Sequence, residues 1–310
     1  MTPNLKKTLL IAIPIAVLII AAVIVAIALL GGSDDSYRTI KVYKIEGTAE
    51  IIRTNGEKIN AYENMLLKAD DTVKTPADGR IYLQLDEDKY MMAGPNASLK
   101  LSASGSSANS KTKIELEYGE IIIHVTDPLS NDSSFEIGTG ISTMSVRGTS
   151  FRIYTSVDEN GKPQIMLQVF EGTVSAKLIH PDGTQSDEES FTAGKTAVIA
   201  QNESETYFDQ TFDGINYFEL DVSALEFLKI GLDNGQDLGI TEEELDEIIE
   251  NKDQIFTVSF VYNDTVFATQ RVAYGSVAKM PSLMPTAKGS WQFDFSTPIL
   301  EDTTIIWIAE

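Results

Sequence analysis

The 310-residue chain contains no cysteine, which removes disulfide frameworks, thiolate metal sites and thiol nucleophiles together. Histidine is nearly as scarce, with only His124 and His180 present. Two histidines with no matching carboxylate spacing supply no three-ligand zinc set. His124 falls in a strand-like run, residues 121–125, where a packed or edge position is expected; His180 precedes the turn signal Pro181-Asp182-Gly183. Basic residues are few, 24 Lys and Arg against 46 Asp and Glu, for a net charge of −22. So acidic a surface repels phosphate backbones and anionic headgroups, which argues against nucleic-acid or peripheral membrane binding. The G-x-S-x-G, P-loop and Rossmann signatures are also missing. With this many carboxylates, pairs at glycosidase separation arise by chance and identify nothing. No catalytic residue, cofactor site or metal set is assigned, and an enzyme is not expected.

One long hydrophobic run is present. Residues 8–30, TLLIAIPIAVLIIAAVIVAIALL, carry no charge, and a helix of that length reaches about 34 Å, enough for a hydrocarbon core of roughly 30 Å. Lys6 and Lys7 precede it, and Asp34 and Asp35 follow. The positive-inside bias predicts a single-pass signal anchor with residues 1–7 as a cytoplasmic tail and the remainder extracytoplasmic. The alternative is a cleaved signal peptide, for which Ala26-Ile27-Ala28 supplies a cleavage triplet.

After a linker at 31–39, the hydrophobic period becomes two. Ile81-Tyr82-Leu83-Gln84-Leu85, Ile114-Glu115-Leu116-Glu117-Tyr118 and Ile165-Met166-Leu167-Gln168-Val169 alternate as half-buried strands do. Asn55-Gly56, Asp78-Gly79 and Asn160-Gly161 punctuate them as turns. The Ser-rich stretch 102–111 is expected to be an exposed loop. Residues 40–201 therefore read as an all-β domain, either a sandwich or a solenoid-like roll.

Within it, Ala69-Asp70-Asp71-Thr72-Val73, Gly94-Pro95-Asn96-Ala97-Ser98-Leu99, Tyr118-Gly119-Glu120-Ile121, Ser145-Val146-Arg147-Gly148-Thr149-Ser150-Phe151 and Glu171-Gly172-Thr173-Val174 follow one another. In order and spacing these resemble the FecR domain, an extracytoplasmic β module of bacteria. The resemblance implies a regulatory protein that binds partners, since the founding members couple the domain to a cytoplasmic segment controlling a sigma factor. With seven residues expected before the anchor, a partner-binding or sensing role is expected here in place of an anti-sigma one. In the motif Arg147-Gly148-Thr149, glycine is expected to relax a bulge while the arginine meets a carboxylate, a structural role.

Residues 202–254 form a connector. Ser223-Ala224-Leu225-Glu226 and Thr241-Glu242-Glu243-Glu244 match the capping box, which predicts two short helices flanking residues 231–240. Asp233, Asp237 and Glu244 stand at positions 1, 5 and 12 of a calcium loop, but Gly235 and Leu238 occupy positions 3 and 6, where a ligand and the turn glycine belong.

Residues 255–310 open with a hairpin, Phe256 to Tyr262 returning through Asn263-Asp264. Val272-Ala273-Tyr274-Gly275 and Phe295-Ser296-Thr297-Pro298-Ile299 make this stretch similar to the Listeria–Bacteroides repeat, also seen as the internalin B-repeat. That likeness implies a small β-grasp-like surface module. The expected fold is thus mainly β, with one transmembrane helix, a FecR-type β domain, a helical connector and a small β-grasp-like domain. The expected function is non-enzymatic: a membrane-anchored cell-envelope module that binds a protein partner or signals, with a structural spacer or adhesion protein as the alternative.

Overall fold

The computed structural model describes residues 38–106, 109–282 and 284–309. Two nine-stranded sheets face each other across one apolar core. In spatial order the first sheet runs Thr206–Asp213, Lys195–Gln201, Pro163–Glu171, Ser150–Val157, Glu120–Val125, Lys89–Ala93, Arg80–Leu85, Ile40–Glu46 and Leu66–Leu67. The second runs Glu189–Thr192, Thr173–Leu178, Ser142–Val146, Ser134–Gly138, Lys111–Tyr118, Ser98–Ser104, Asp71–Lys74, Glu50–Ile52 and Lys58–Asn60. Apart from Leu66–Leu67 and Lys58–Asn60, which flank the first strand of each sheet at one edge, both orders follow the sequence, because the chain lays one or two strands in one sheet and then crosses to the other. The product is a sandwich wound like a solenoid, so each of the two forms left open by the sequence describes part of it. The first sheet continues through Thr206–Asp213, past residue 201. The Ser-rich stretch is shorter as a loop than expected, since Ser98–Ser104 stays paired with Lys111–Tyr118.

The two sheets differ on their outer faces. In the second, strands alternate between core and solvent. In the first, successive residues are buried on both sides: Met91, Ile121 and Ile123 enter the sandwich core, while Met92 and Ile122 enter a separate cluster. A strand buried on both faces must have a third layer above it. Here that layer is a helix pair, α1 (Val222–Asp233) and α2 (Glu242–Asn251). Leu225, Phe227, Leu228 and Leu245 pack on Tyr82, Met92, Ile122 and Phe170.

The helix starts follow local chemistry. Thr241 caps α2 and Glu244 reaches back to it, the complete capping box expected. α1 begins earlier than expected: Asp221 is its cap, its carboxylate accepting from the Ala224 N–H at 2.9 Å, and it also pairs with Arg80 of the sheet. Ser223 instead donates to Glu46 at 2.8 Å. The N-terminus of α1 is thereby tied to the sheet it covers.

The last sheet is smaller, in the order Thr265–Ala273, Ile255–Tyr262, Thr303–Ala309 and Gly289–Trp291, with the two central strands parallel. Asn263 and Asp264 both take positive φ, 49° and 55°, the tight hairpin turn that twisted strands favour. Val258, Phe260, Trp291, Ile305 and Trp307 form its core.

The expectation of a transmembrane helix in this fold is corrected. Among the described residues no helix is long and apolar enough to cross a membrane. α1 has 12 residues and α2 has 10, so each reaches at most about 18 Å against the roughly 30 Å required. The run expected to span, residues 8–30, lies outside the described residues.

Candidate functional site

The motif Arg147-Gly148-Thr149 sits where the chain leaves Ser142–Val146 in one sheet for Ser150–Val157 in the other. Gly148 takes φ +70°, and a side chain there would press on Pro128, whose Cα lies 3.2 Å from the ideal Cβ position. The carbonyl of the buried Thr149 accepts from the Val125 N–H at 2.9 Å, and the pairing register shifts at the next step, Ser150/Phe151. The arginine departs from expectation: Arg147 is exposed and donates to the Asn131 carboxamide at 2.5 Å, with a neutral oxygen where a carboxylate was expected. The motif shapes a crossing between layers. Gly172, at φ +80°, lies against it, and an added Cβ would overlap the Gly148 carbonyl and the Thr149 methyl. Gly172→Ala is therefore expected to cost at least about 2 kcal/mol, from a left-handed alanine and a backbone clash. A urea midpoint within error of wild type would show that the crossing relaxes freely.

Beside this crossing lies a polar groove of about 940 Å³. Its cations are already committed. Arg38 donates from Nε to both Asp86 oxygens, at 2.9 and 2.8 Å, and bonds Thr112; the buried Lys89 lies 2.5 Å from Asp88 and 3.6 Å from Asp86. Satisfied pairs of this kind close the end of the sandwich and leave little charge for a ligand.

A second polar group lies under α1. His124 is fully buried, its Nδ1 2.7 Å from Ser150 Oγ and its Nε2 3.2 Å from the Phe227 carbonyl. Ser150 Oγ also donates to Gln236 Oε1 at 2.6 Å, and Gln236 Nε2 donates to the Val125 carbonyl at 3.3 Å. If Nε2 carries the proton to Phe227, the single Ser150 proton faces two acceptors, Nδ1 and Gln236, and serves one at a time. Burial keeps the ring neutral, lowering its pKa from 6.5 to about 4, against the opposing bonds from Phe227 and Gln236. The approach is close because α1 presents Gly231 here; an ideal Cβ on it would lie 2.9 Å from His124 Nδ1. That glycine was expected to begin the interhelical loop and instead lies within the helix.

The residues that matched calcium-loop positions do not converge. Asp233 ends α1, Asp237 Oδ1 accepts from the Gly239 N–H at 3.1 Å, and Glu244 is engaged by Thr241. Among the described residues no three His, Asp or Glu side chains are grouped to hold a metal ion.

The largely apolar cleft is elsewhere, between α2, the segment 212–218 that precedes α1, and the C-terminal loops at residues 274–277 and 296–300. It measures about 630 Å³, within the usual range for ligand sites. Tyr217, Phe218 and Tyr274 supply aromatic surface, Val277, Pro298 and Leu300 aliphatic surface, and Asp213 with Glu244 and Glu247 of α2 the acidic groups. Phe218 and Tyr274 meet edge to face with centroids 5.5 Å apart. Gly275, at φ +73°, is required by that packing, since any Cβ would overlap the Phe218 ring. Tyr217 donates to the Leu238 carbonyl, and its phenol is pushed up in pKa by burial first and by the charges of Asp237 and Glu244 next. The lining comes from segments far apart in the chain, and no local pattern announces them.

A family model described as FecR protein matches residues 71–175, inside the span expected to be FecR-like. The likeness of residues 255–310 to the internalin B-repeat is not confirmed. No match was found among curated proteins. Two crystal structures of candidate anti-sigma factors from Parabacteroides distasonis are similar to the chain. One has 13% identity and a TM-score of 0.36, with 46% of this chain and 59% of that chain covered. The other has 9% identity and a TM-score of 0.37, covering 77% and 99%. The chain thus spans under two thirds of the first of these two.

Proposed function

We propose that this chain is a non-enzymatic signalling module of FecR type that works outside the cytoplasm and recognises a cell-envelope protein partner. The observation that carries the reading is the cleft between α2 and the C-terminal loops. It is a largely apolar, ligand-sized recess, and its α2 wall is continuous with the layer that covers the family-matched sandwich. An occupant that shifted α2 would act on the packing of α1, whose Phe227 lies against His124 of the sheet, which gives binding a route into the sandwich. The acidic charge and absence of cysteine suit a location outside the cytoplasm.

The test is transcript profiling of a strain lacking the chain, alongside strains carrying the wild type or a cleft-blocked variant, Val277→Trp, at an exposed lining position. A discrete gene set that shifts on deletion, returns with the wild type and fails to return with an equally abundant variant is expected. A structural spacer would leave transcripts unmoved, and that outcome overturns the reading. Location is checked separately by a C-terminal alkaline phosphatase fusion, expected to be active; an inactive fusion at normal abundance would place the C-terminus inside.

A further inference from the structure

Resting on that reading of the cleft, we infer that its occupant is a polypeptide segment of the partner carrying an arginine or lysine flanked by apolar residues. Three observations converge. The lining includes Asp213, Glu244 and Glu247 and no Lys, Arg or His. Lys195 pairs with Asp213 and neutralises that carboxylate, while Lys229 is held by Asp246 and Glu226 and Lys252 donates to the Phe218 carbonyl, so the unpaired charge facing the cleft is that of Glu244 and Glu247. Glu244 and Glu247, one turn apart on α2, make no ion pair among the described residues; their partners are Thr241 and, at a long 3.5 Å, the Tyr274 hydroxyl.

Tyr217, Phe218 and Tyr274 line the same cleft, and the Tyr274 hydroxyl lies 3.5 Å from Glu247. A cation is attracted both by a carboxylate and by a ring face, and the guanidinium group satisfies both because it is planar, stacks on rings and bonds carboxylates with two donors. The rest of the cleft is greasy: Ile240, Ile248, Val277, Pro298 and Leu300 line it. A small polyamine would leave that surface wet, whereas a peptide with leucine or valine beside the cation covers it. Charge therefore selects the sign of the occupant, and the apolar wall selects a polypeptide over a free amine.

The test uses the purified full chain and a fluorescein-labelled peptide with one central arginine between leucines, read by anisotropy. Its companions are the same peptide with glutamine in place of arginine, and free arginine as competitor. The protein variant is Glu244→Gln with Glu247→Gln, in which glutamine at position 244 preserves the capping box. Saturable binding of the arginine peptide is expected, weakened about tenfold or more in the double variant and by raised salt. The glutamine peptide is expected to bind at least tenfold more weakly, and free arginine to compete only in large excess. Equal binding of both peptides, an unaffected double variant, or no binding up to millimolar peptide would each overturn the inference. Competition by free arginine at the peptide's own concentration would also overturn it, by assigning the cleft to a small cation. If transcripts respond to the chain while the peptide fails, this inference falls alone. If the peptide binds as expected while transcripts stay flat, the signalling reading falls and the site remains.

Discussion

Acidifying the protein from pH 7.5 to 4.5 is expected to remove roughly 2–3 kcal/mol of stability through His124. The sign follows from the direction of its shift. The folded pKa is about 4, lowered from 6.5 by burial, so the unfolded chain takes up the proton more readily. The stabilisation is fully present above pH 6.5 and is lost as the pH falls toward 4. Carboxylates held low in the fold lose their contributions lower down. Asp70 is lowered by the Ser102 hydroxyl and Lys100, and Glu244 by its bonds from Thr241, so their contributions are lost as the pH falls through and below the ordinary carboxylate range. Relief of the net charge of −22 acts the other way, so the measurement must be differential. Urea midpoints are compared between wild type and His124→Leu from pH 7.5 to 4.5. The variant should start about 1–2 kcal/mol less stable, having lost its bonds to Ser150 and Phe227, and then draw level with and overtake the wild type as pH falls toward 4.5. Parallel curves would mean that the ring is already charged in the fold or that it escapes to water.

Much of the sandwich was legible because its strands obey local rules. Residues 114–118 and 165–169 alternate because one face of each meets the core, and Thr241 with Glu244 starts α2 wherever that sequence sits. The third layer was also written in the chain, though less openly. Tyr90-Met91-Met92-Ala93 and Ile121-Ile122-Ile123 are continuous apolar runs, the mark of strands covered on both faces. Read that way, His124 on the face of Ile122 lies under a cover rather than at an edge.

Other features depend on distance and could not be read. Gly231 looks like a loop residue until His124 is known to press against the helix. Arg147 meets Asn131 because the 126–133 loop folds beside the motif, and no spacing in the sequence pairs them. The cleft is the extreme case: Glu247, Phe218 and Tyr274 acquire a common site only when the helices and the C-terminal sheet come together. The partial calcium-loop match at Asp233, Asp237 and Glu244 was already broken by Gly235 and Leu238, and the capping box holds the Glu244 carboxylate.

Phe227→Ala is expected to cost about 3–5 kcal/mol, the usual penalty for emptying a fully packed aromatic site. The ring is buried against Tyr82 and His124, with centroids 5.8 and 4.9 Å away. The site has little room to collapse, because the sheet beneath it is held from below by the sandwich core. How the loss is distributed matters as much as its size. If the helix pair opens as its own unit, amide exchange should accelerate across residues 222–251 by about a hundredfold or more, while residues 121–125 and 165–169 keep most of their protection. Phe135→Ala, inside the sandwich, should instead lower protection throughout the domain. A uniform loss from Phe227→Ala would mean that helices and sandwich unfold as one body, and a cleft occupant could then act only by stabilising the whole. A loss confined to the helices would identify a layer able to detach while the sandwich stands, as a signalling role for the α2 wall requires.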